Sequence, residues 1–178
     1  MSPVPVSVLL RTSRLILRPW RLGDEGALVR YVNNRKIWLN VRDSLPFPYT
    51  IEDAMQWVHL SATLTHQVSF AMEWQHEAVG AIGLILQEDV YRSSAEIGYW
   101  LGEPFWGQGL MTEAVDRVTE WALYEFGLRR LWTGVFEHNK ASMRVLEKCG
   151  YALEGISKKA VMKDGEIWDE YRYAIVKP

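Results

Sequence analysis

One cysteine, four histidines and no dominant charge in 178 residues exclude several kinds of protein. A lone Cys149 cannot close a disulfide within the chain, so packing must hold the core. The histidines show no paired spacing that would build a metal centre, and no metal is expected. Lys and Arg number 20 against 22 Asp and Glu, a formal net charge of −2, and the basic residues are scattered. Neither a nucleic acid nor an anionic membrane is therefore expected as a partner. No run approaches the roughly twenty apolar residues of a membrane span. Residues 4–10 are apolar but lack the basic start and the length of a secretory signal. The expected location is the cytoplasm.

What is present suits one domain with a real core: 48% of residues are hydrophobic and no linker interrupts them. Residues 1–10, with Pro3 and Pro5, read as a tail, and residues 11–178 as a single domain. A first strand is expected at residues 15–17. Asp24 is placed to cap a helix through Asn33, and Thr50-Ile51-Glu52-Asp53 to open another through Leu64 with a capping box. Residues 68–74, 78–87 and 95–101 read as an antiparallel meander. A helix follows through Phe126, where Gly127 stops it, then a strand at residues 131–136. Asn139 caps a short helix ending at Gly150, and a last hairpin turns at Lys163-Asp164-Gly165. Helices separate some strands and not others, which predicts a mixed α/β fold with a mostly antiparallel sheet. Of the nine tryptophans, Trp38 and Trp100 are candidates to line a pocket, and the rest read as core.

The segment Trp106-Gly107-Gln108-Gly109-Leu110-Met111-Thr112 joins a strand to an amphipathic helix through two glycines. Such a turn can be a plain connection. It can also be an anion site, because glycines allow close backbone approach and the first helical turn leaves N–H groups free. No Gly-Lys-Ser/Thr follows to make a nucleotide-hydrolysing loop, and Thr112 stands where a dinucleotide fingerprint needs its third glycine. A loop of amides without a lysine suits a ligand held by its phosphates and not a phosphoryl group being transferred.

Five segments in order resemble the GNAT acetyltransferases, and among them the ribosomal-protein N-acetyltransferase (RimJ/RimL-like) branch. They are Ser13-Arg14-Leu15-Ile16-Leu17-Arg18-Pro19, Leu45-Pro46-Phe47-Pro48-Tyr49-Thr50, Ala95-Glu96-Ile97-Gly98-Tyr99-Trp100-Leu101, the glycine loop, and Asn139-Lys140-Ala141-Ser142 with Leu146-Glu147-Lys148-Cys149-Gly150-Tyr151. The resemblance implies the GNAT fold, acetyl-CoA as cosubstrate, and acetyl transfer to a primary amine. The amine it favours is a protein or peptide N-terminus; a polyamine, amino acid or aminoglycoside is the alternative, and so is an acetyl-CoA sensor without turnover. A homodimer is compatible with it. On this resemblance the pyrophosphate meets amides from Trp106 to Thr112, and the pantetheine arm runs beside Trp100 and Leu101. Trp106 and Met111 depart from the family's usual residues, so the Met111 side chain has to point away from the phosphates.

Transfer from a thioester to an amine needs a neutral amine, a polarised carbonyl and a proton for the departing thiolate. The resemblance assigns the last role to Ser142, since Leu146 stands where many GNAT enzymes carry a tyrosine. An ordinary N-terminal helix serine is the alternative. Asn139 can both cap its helix and face the cofactor. Glu96 matches a strand glutamate that acts as base in some members, or else pairs a neighbouring charge. His138 is the second candidate because imidazole titrates near neutrality. The carbonyl is expected to meet a backbone N–H where residues 95–101 splay from the next strand. Cys149, with no histidine near it in sequence, reads as core.

Overall fold

The computed structural model describes residues 8–177. Of the expected tail, residues 1–7 lie outside the described residues, while Leu10 is buried in the first strand. Chain order is β1 (Leu10–Arg11), β2 (Ile16–Arg18), α1 (Glu25–Val32), α2 (Arg35–Trp38), α3 (Ile51–Ser61), β3 (Gln67–Trp74), β4 (Glu77–Leu86), β5 (Ser94–Leu101), α4 (Leu110–Glu125), β6 (Arg130–Phe136), α5 (Lys140–Lys148), β7 (Ala152–Lys163) and β8 (Glu166–Val176). The strands form one sheet in the order β1-β2-β3-β4-β5-β6-β8-β7. Every neighbouring pair is antiparallel except β5 and β6.

Local signals account for most boundaries. Thr50 accepts from the Asp53 N–H at 3.2 Å and the Asp53 carboxylate accepts from the Thr50 N–H at 2.8 Å, a reciprocal cap of the kind that contributes about 1 kcal/mol. Asp164 and Gly165 both take positive φ, 54° and 80°, as a two-residue hairpin turn requires. Two expectations need correction. Asp24 precedes α1 but makes no side-chain cap; two Arg18 nitrogens hold its carboxylate at 2.7 and 2.8 Å, and the Arg21 N–H donates to it at 3.0 Å. Glu73 holds the Arg18 Nε at 2.5 Å, so the buried charges are mutually satisfied and removing Arg18 would cost about 3–5 kcal/mol. The helix from Thr50 ends at Ser61 instead of Leu64, and residues 35–38 add a helical turn that no periodicity announces.

Strand alternation gives the sheet two apolar faces. On one, Met72, Ile82, Leu84, Ile97 and Leu131 pack against Leu110, Val115 and Val118 of α4 and Leu146 of α5. On the other, Ala71, Ala78 and Ala81 meet Leu28 and Val32 of α1 and Ala54 and Val58 of α3; their small side chains let the helices sit close. The parallel ladder joins Ser94–Glu96 only to Arg130–Trp132. Past it β5 runs on to Leu101 beside β4, while β6 continues beside β8 to Phe136. The two strands therefore diverge at their carboxyl ends, the place where a parallel pair in an α/β sheet receives ligands.

Candidate active site

The glycine loop lies at one end of the wedge. The Trp106 indole N–H donates to the Leu101 carbonyl at 2.6 Å, tying the loop to the end of β5. Gly107 and Gly109 adopt φ of 74° and 80°, a region that costs a side-chain-bearing residue about 1–2 kcal/mol. Gly109 is the N-cap, and the first helical N–H to find a carbonyl is that of Glu113, donating to Gly109 at 3.2 Å. The amides of Leu110, Met111 and Thr112 therefore have no partner inside the helix, as its geometry demands. Gln108 is exposed, with its side-chain amide donating to the Pro104 carbonyl at 3.1 Å. Met111 is buried in the core under α4, so its long side chain leaves the loop clear.

A second group of residues stiffens this loop. Arg14 donates to the Gln108 carbonyl at 2.9 Å and to Glu113 at 2.6 Å, while Thr12 and Ser13 add hydroxyl bonds to the same carboxylate at 2.8 and 3.0 Å. Burial opposes the Glu113 charge, but these bonds outweigh it and hold its carboxyl below the ordinary value. Beside them is a groove of about 420 Å³ lined by Gly109, Thr112, Glu113, Asp116, Lys148 and Cys149. Cys149 is buried there, its thiol donating to the Thr112 carbonyl at 3.5 Å. Burial first, then Asp116, pushes the thiol up to about 11.

Along β5 the backbone groups alternate between the two edges of the strand. Gly102 donates its N–H to Val79 on β4 at 2.8 Å, and the Trp100 carbonyl also faces β4, 2.6 Å from where a Gly80 Cβ would stand. Tyr99 and Leu101 therefore present their backbone to the wedge, whereas Trp100, named with Leu101 for that edge, presents its own to β4. The Trp100 side chain packs with the α1 and α3 cluster.

Ser142 and Tyr99 meet on the α4 and α5 face, oxygen to oxygen at 2.8 Å. Asn139 holds the start of α5 by accepting from the Ser142 N–H at 3.1 Å, which leaves its side-chain NH₂ free of the cap. Burial raises the Tyr99 phenol above its ordinary value, against the Ser142 hydrogen bond that lowers it, so the phenol stays protonated. Glu96 lies on the opposite face, between the buried Ala95 and Ile97, and its carboxylate pairs with Arg42. Next along that face is Gly98, exposed and with nothing within 4 Å of where a Cβ would point. A hydroxyl pair on one side and an arginine-paired carboxylate beside the open position at Gly98 on the other are groups of the kind that exchange protons with reactants. His138 is exposed and packs edge-on against Trp168, 4.6 Å between ring centroids. Trp38, the other pocket candidate, packs beneath the Lys163 ammonium and stacks on Phe47.

Residues 14–152 match the family model described as the acetyltransferase (GNAT) domain. The chain belongs to the GNAT acetyltransferase family. A GNAT relative, the uncharacterised N-acetyltransferase YoaA of Bacillus subtilis, is 30% identical over 176 residues, covering 96% of this chain and 97% of its own. The [ribosomal protein uS5]-alanine N-acetyltransferase of Escherichia coli is 28% identical over 190 residues, covering 99% of this chain and 94% of its own. Among solved GNAT structures, RimL, a ribosomal L7/L12 α-N-protein acetyltransferase in complex with coenzyme A, superposes with a TM-score of 0.84 at 24% identity over 95% of this chain and 98% of that one. This GNAT chain is accordingly an acetyl-CoA-dependent N-acyltransferase with the expected mixed, mostly antiparallel fold. Among the described residues no helix is long and apolar enough to cross a membrane, and no three His, Cys, Asp or Glu side chains cluster as metal ligands do. Four residues of the candidate site carried no expectation of their own: Tyr99, Arg14, Glu113 and Arg42. Tyr99 had a local signal, since alternation puts it on the same face as Ile97 and Leu101, the side where α5 packs.

Proposed function

We propose that this enzyme moves an acetyl group directly from acetyl-CoA to the α-amine of a protein or peptide N-terminus, with both reactants bound together. The observation that carries the reading is the wedge itself, with Tyr99 and Ser142 on one face and Glu96 beside open space on the other. The amides from Gly107 to Thr112 suit the pyrophosphate; the Trp106 N–H, expected among them, donates instead to the Glu103 carbonyl at 3.2 Å, and Trp106 braces the loop. The Leu101 N–H suits the pantetheine arm, and the Asn139 side-chain NH₂ can donate near the thioester. Acetyl-CoA supplies an activated carbonyl and a thiolate leaving group. Glu96 takes the proton from the incoming ammonium, and a backbone N–H on the open edge of β5 donates to the carbonyl oxygen as it gains charge. The Ser142 hydroxyl gives a proton to sulfur as the carbon–sulfur bond breaks and regains one from the nitrogen, which sheds its second proton as the amide forms; Tyr99 keeps that hydroxyl aimed by donating to its oxygen.

A protein N-terminus asks the least of this site. An α-amine has a pKa near ~8 and a lysine amine near ~10.4, a difference of about 3 kcal/mol in the cost of the neutral form. Glu96 is a single carboxylate already paired with Arg42, which suits the easier deprotonation. The names of the uS5-alanine and L7/L12 relatives support the same class. The test is CoA release by the purified protein against N-terminal peptides, polyamines, amino acids and aminoglycosides. Turnover with peptides is expected. Turnover confined to a small amine would replace the substrate class, and acetyl-CoA binding without turnover on any amine would favour a sensor.

A further inference from the structure

Adjacent residues of the segment after α2 reach in opposite directions. Arg42 pairs with Glu96 on β5, whereas Asp43 accepts from the Lys163 ammonium at 2.6 Å, at the far end of β7. Earlier in the same segment Arg35 pairs with Asp164 in the hairpin turn, and Trp38 lies beneath the Lys163 Nζ, 3.8 Å from ring to nitrogen. Phe47 stacks on Trp38 at 5.5 Å. Residues 35–43 are thus held at the tip of the β7–β8 hairpin by Arg35, Trp38 and Asp43, and reach back to Glu96 on β5 through Arg42 and to Glu103, ahead of the glycine loop, through Lys36. The end pins differ in kind. Arg42 is 62% exposed and Arg35 56%, and surface pairs of this sort contribute at most about 1 kcal/mol. The Lys163 side chain is 2% exposed, and its charge is matched only by the Asp43 carboxylate and the face of Trp38 among the described contacts. A buried ammonium that lost both would be left desolvated and unpaired, so this pin holds where the others exchange with water.

We infer that residues 35–43 are a strap across the acceptor side of the wedge, and that Lys163 is a positioning residue for the amine acceptor. The inference rests on the functional reading above and extends it. Lys163 touches neither reactant; it fixes how far the strap stands from Gly98 and Glu96, and so how an amine-bearing chain end enters beneath it. On the other face the glycine loop has its own tie, the Arg14 guanidinium donating to the Gln108 carbonyl at 2.9 Å.

The test is steady-state kinetics of Lys163→Met, with Asp43→Asn as the milder variant on an exposed carboxylate that leaves the hairpin intact. Losing a charge-assisted contact predicts a rise in acceptor KM of about tenfold for Lys163→Met and a smaller one for Asp43→Asn, with acetyl-CoA KM unchanged. Lys163→Arg, which keeps both the charge and the ring contact, should restore the acceptor KM. Hydrogen exchange across residues 35–43 should quicken in Lys163→Met. Wild-type acceptor KM in both variants overturns the inference while leaving the functional reading intact. So does a uniform loss, in which acetyl-CoA KM rises equally and Lys163→Arg fails to rescue, since that marks a merely structural lysine. A wild-type protein that acetylates no amine overturns the functional reading, and the acceptor role of Lys163 with it.

Discussion

The Tyr99 phenol oxygen lies 2.8 Å from the Ser142 hydroxyl oxygen, joining the strand that edges the wedge to the helix that faces it. A serine alone has a freely rotating hydroxyl. Either hydroxyl can donate in this pair; with Tyr99 as the donor, the arrangement the proposed mechanism uses, the serine proton is left for another acceptor. A phenol whose ionisation is pushed up by burial keeps its own proton and serves as a fixed donor.

If Ser142 protonates the leaving sulfur, Ser142→Ala should lower kcat by roughly 10²-fold, the scale of a lost proton-transfer group, with the acetyl-CoA Kd unchanged. Tyr99→Phe removes only the aiming and should cost about tenfold. Because the phenol acts through the serine, the double variant should be no slower than Ser142→Ala. Stopped-flow turnover and calorimetry on the three variants check this. Multiplicative losses would show that Tyr99 acts on its own, and a Ser142→Ala rate equal to wild type removes the serine from the chemistry.

Glu96→Gln keeps the shape of the side chain and removes its basicity. At neutral pH the loss in kcat/KM for an N-terminal peptide should be about 10²-fold. It should shrink as pH rises past the amine's own pKa near ~8, where the acceptor is already neutral. Rate profiles from pH 6 to 9.5 separate the alternatives: a constant deficit across the range means that Glu96 acts through binding, not through the proton.

The glycine loop makes a separate demand. At Gly109, φ is 80°, so Gly109→Val strains the backbone, while its Cβ would stand in ordinary contact with the Arg14 Nη2 at 3.4 Å. A strain of about 1–2 kcal/mol paid on binding corresponds to a loss of acetyl-CoA affinity of about 5- to 30-fold. Arg14→Ala, which frees Gln108 and leaves Glu113 with two hydroxyl bonds, should weaken binding in the same direction. Titration calorimetry decides it; wild-type affinity in both variants would place the pyrophosphate elsewhere.

How much of this could be read from the residues alone follows the range of each interaction. The Thr50–Asp53 cap, the Asn139–Ser142 cap and the Asp164-Gly165 turn close within three residues, so spacing encodes them. The glycine loop was legible for the same reason. Asp24 misled because a capping residue and a buried counter-ion look identical in sequence, and only the fold brings Arg18 onto its carboxylate. Tyr99 and Ser142 are 43 positions apart, Asp43 and Lys163 120 apart, and both pairs exist because the sheet places β5 and β6 side by side and sends β8 back along β6. Alternation indicates which face a strand residue takes. It does not reveal what will be waiting there.

Buried phenols make alkaline stability a test of the fold. Tyr49 is pushed up to about 12, by burial first and by Asp53 second, and burial also raises Tyr99 and Tyr151. Unfolded tyrosine ionises near ~10. Below that pH both states hold the proton and the contribution is fully present. As pH climbs from there through the folded values, the unfolded state loses protons that the folded state keeps, and stability falls by about 1.4 kcal/mol per pH unit for each such group. Urea midpoints measured from pH 9 to 11.5 should therefore drop steeply above pH 10. A flat midpoint across that range would mean that these hydroxyls are hydrated.

Cys149 tests the direct mechanism from the opposite side. It borders the groove beside the glycine loop, close enough to donate to the Thr112 carbonyl at 3.5 Å, and a nucleophilic thiol there would permit an acetyl-cysteine intermediate. Its environment argues against that. Burial and the Asp116 charge both favour the neutral thiol and push it up to about 11, so at pH 8 only about one molecule in a thousand carries the thiolate. Iodoacetamide at pH 8 should label the folded protein far more slowly than a free thiol, and labelling should accelerate through the urea transition. Cys149→Ser should retain turnover, and product inhibition should show both reactants on the enzyme together. Rapid labelling of the native protein, with ping-pong kinetics that Cys149→Ser abolishes, would transfer the acetyl group to sulfur first and reduce Ser142 to a helix-terminal hydroxyl.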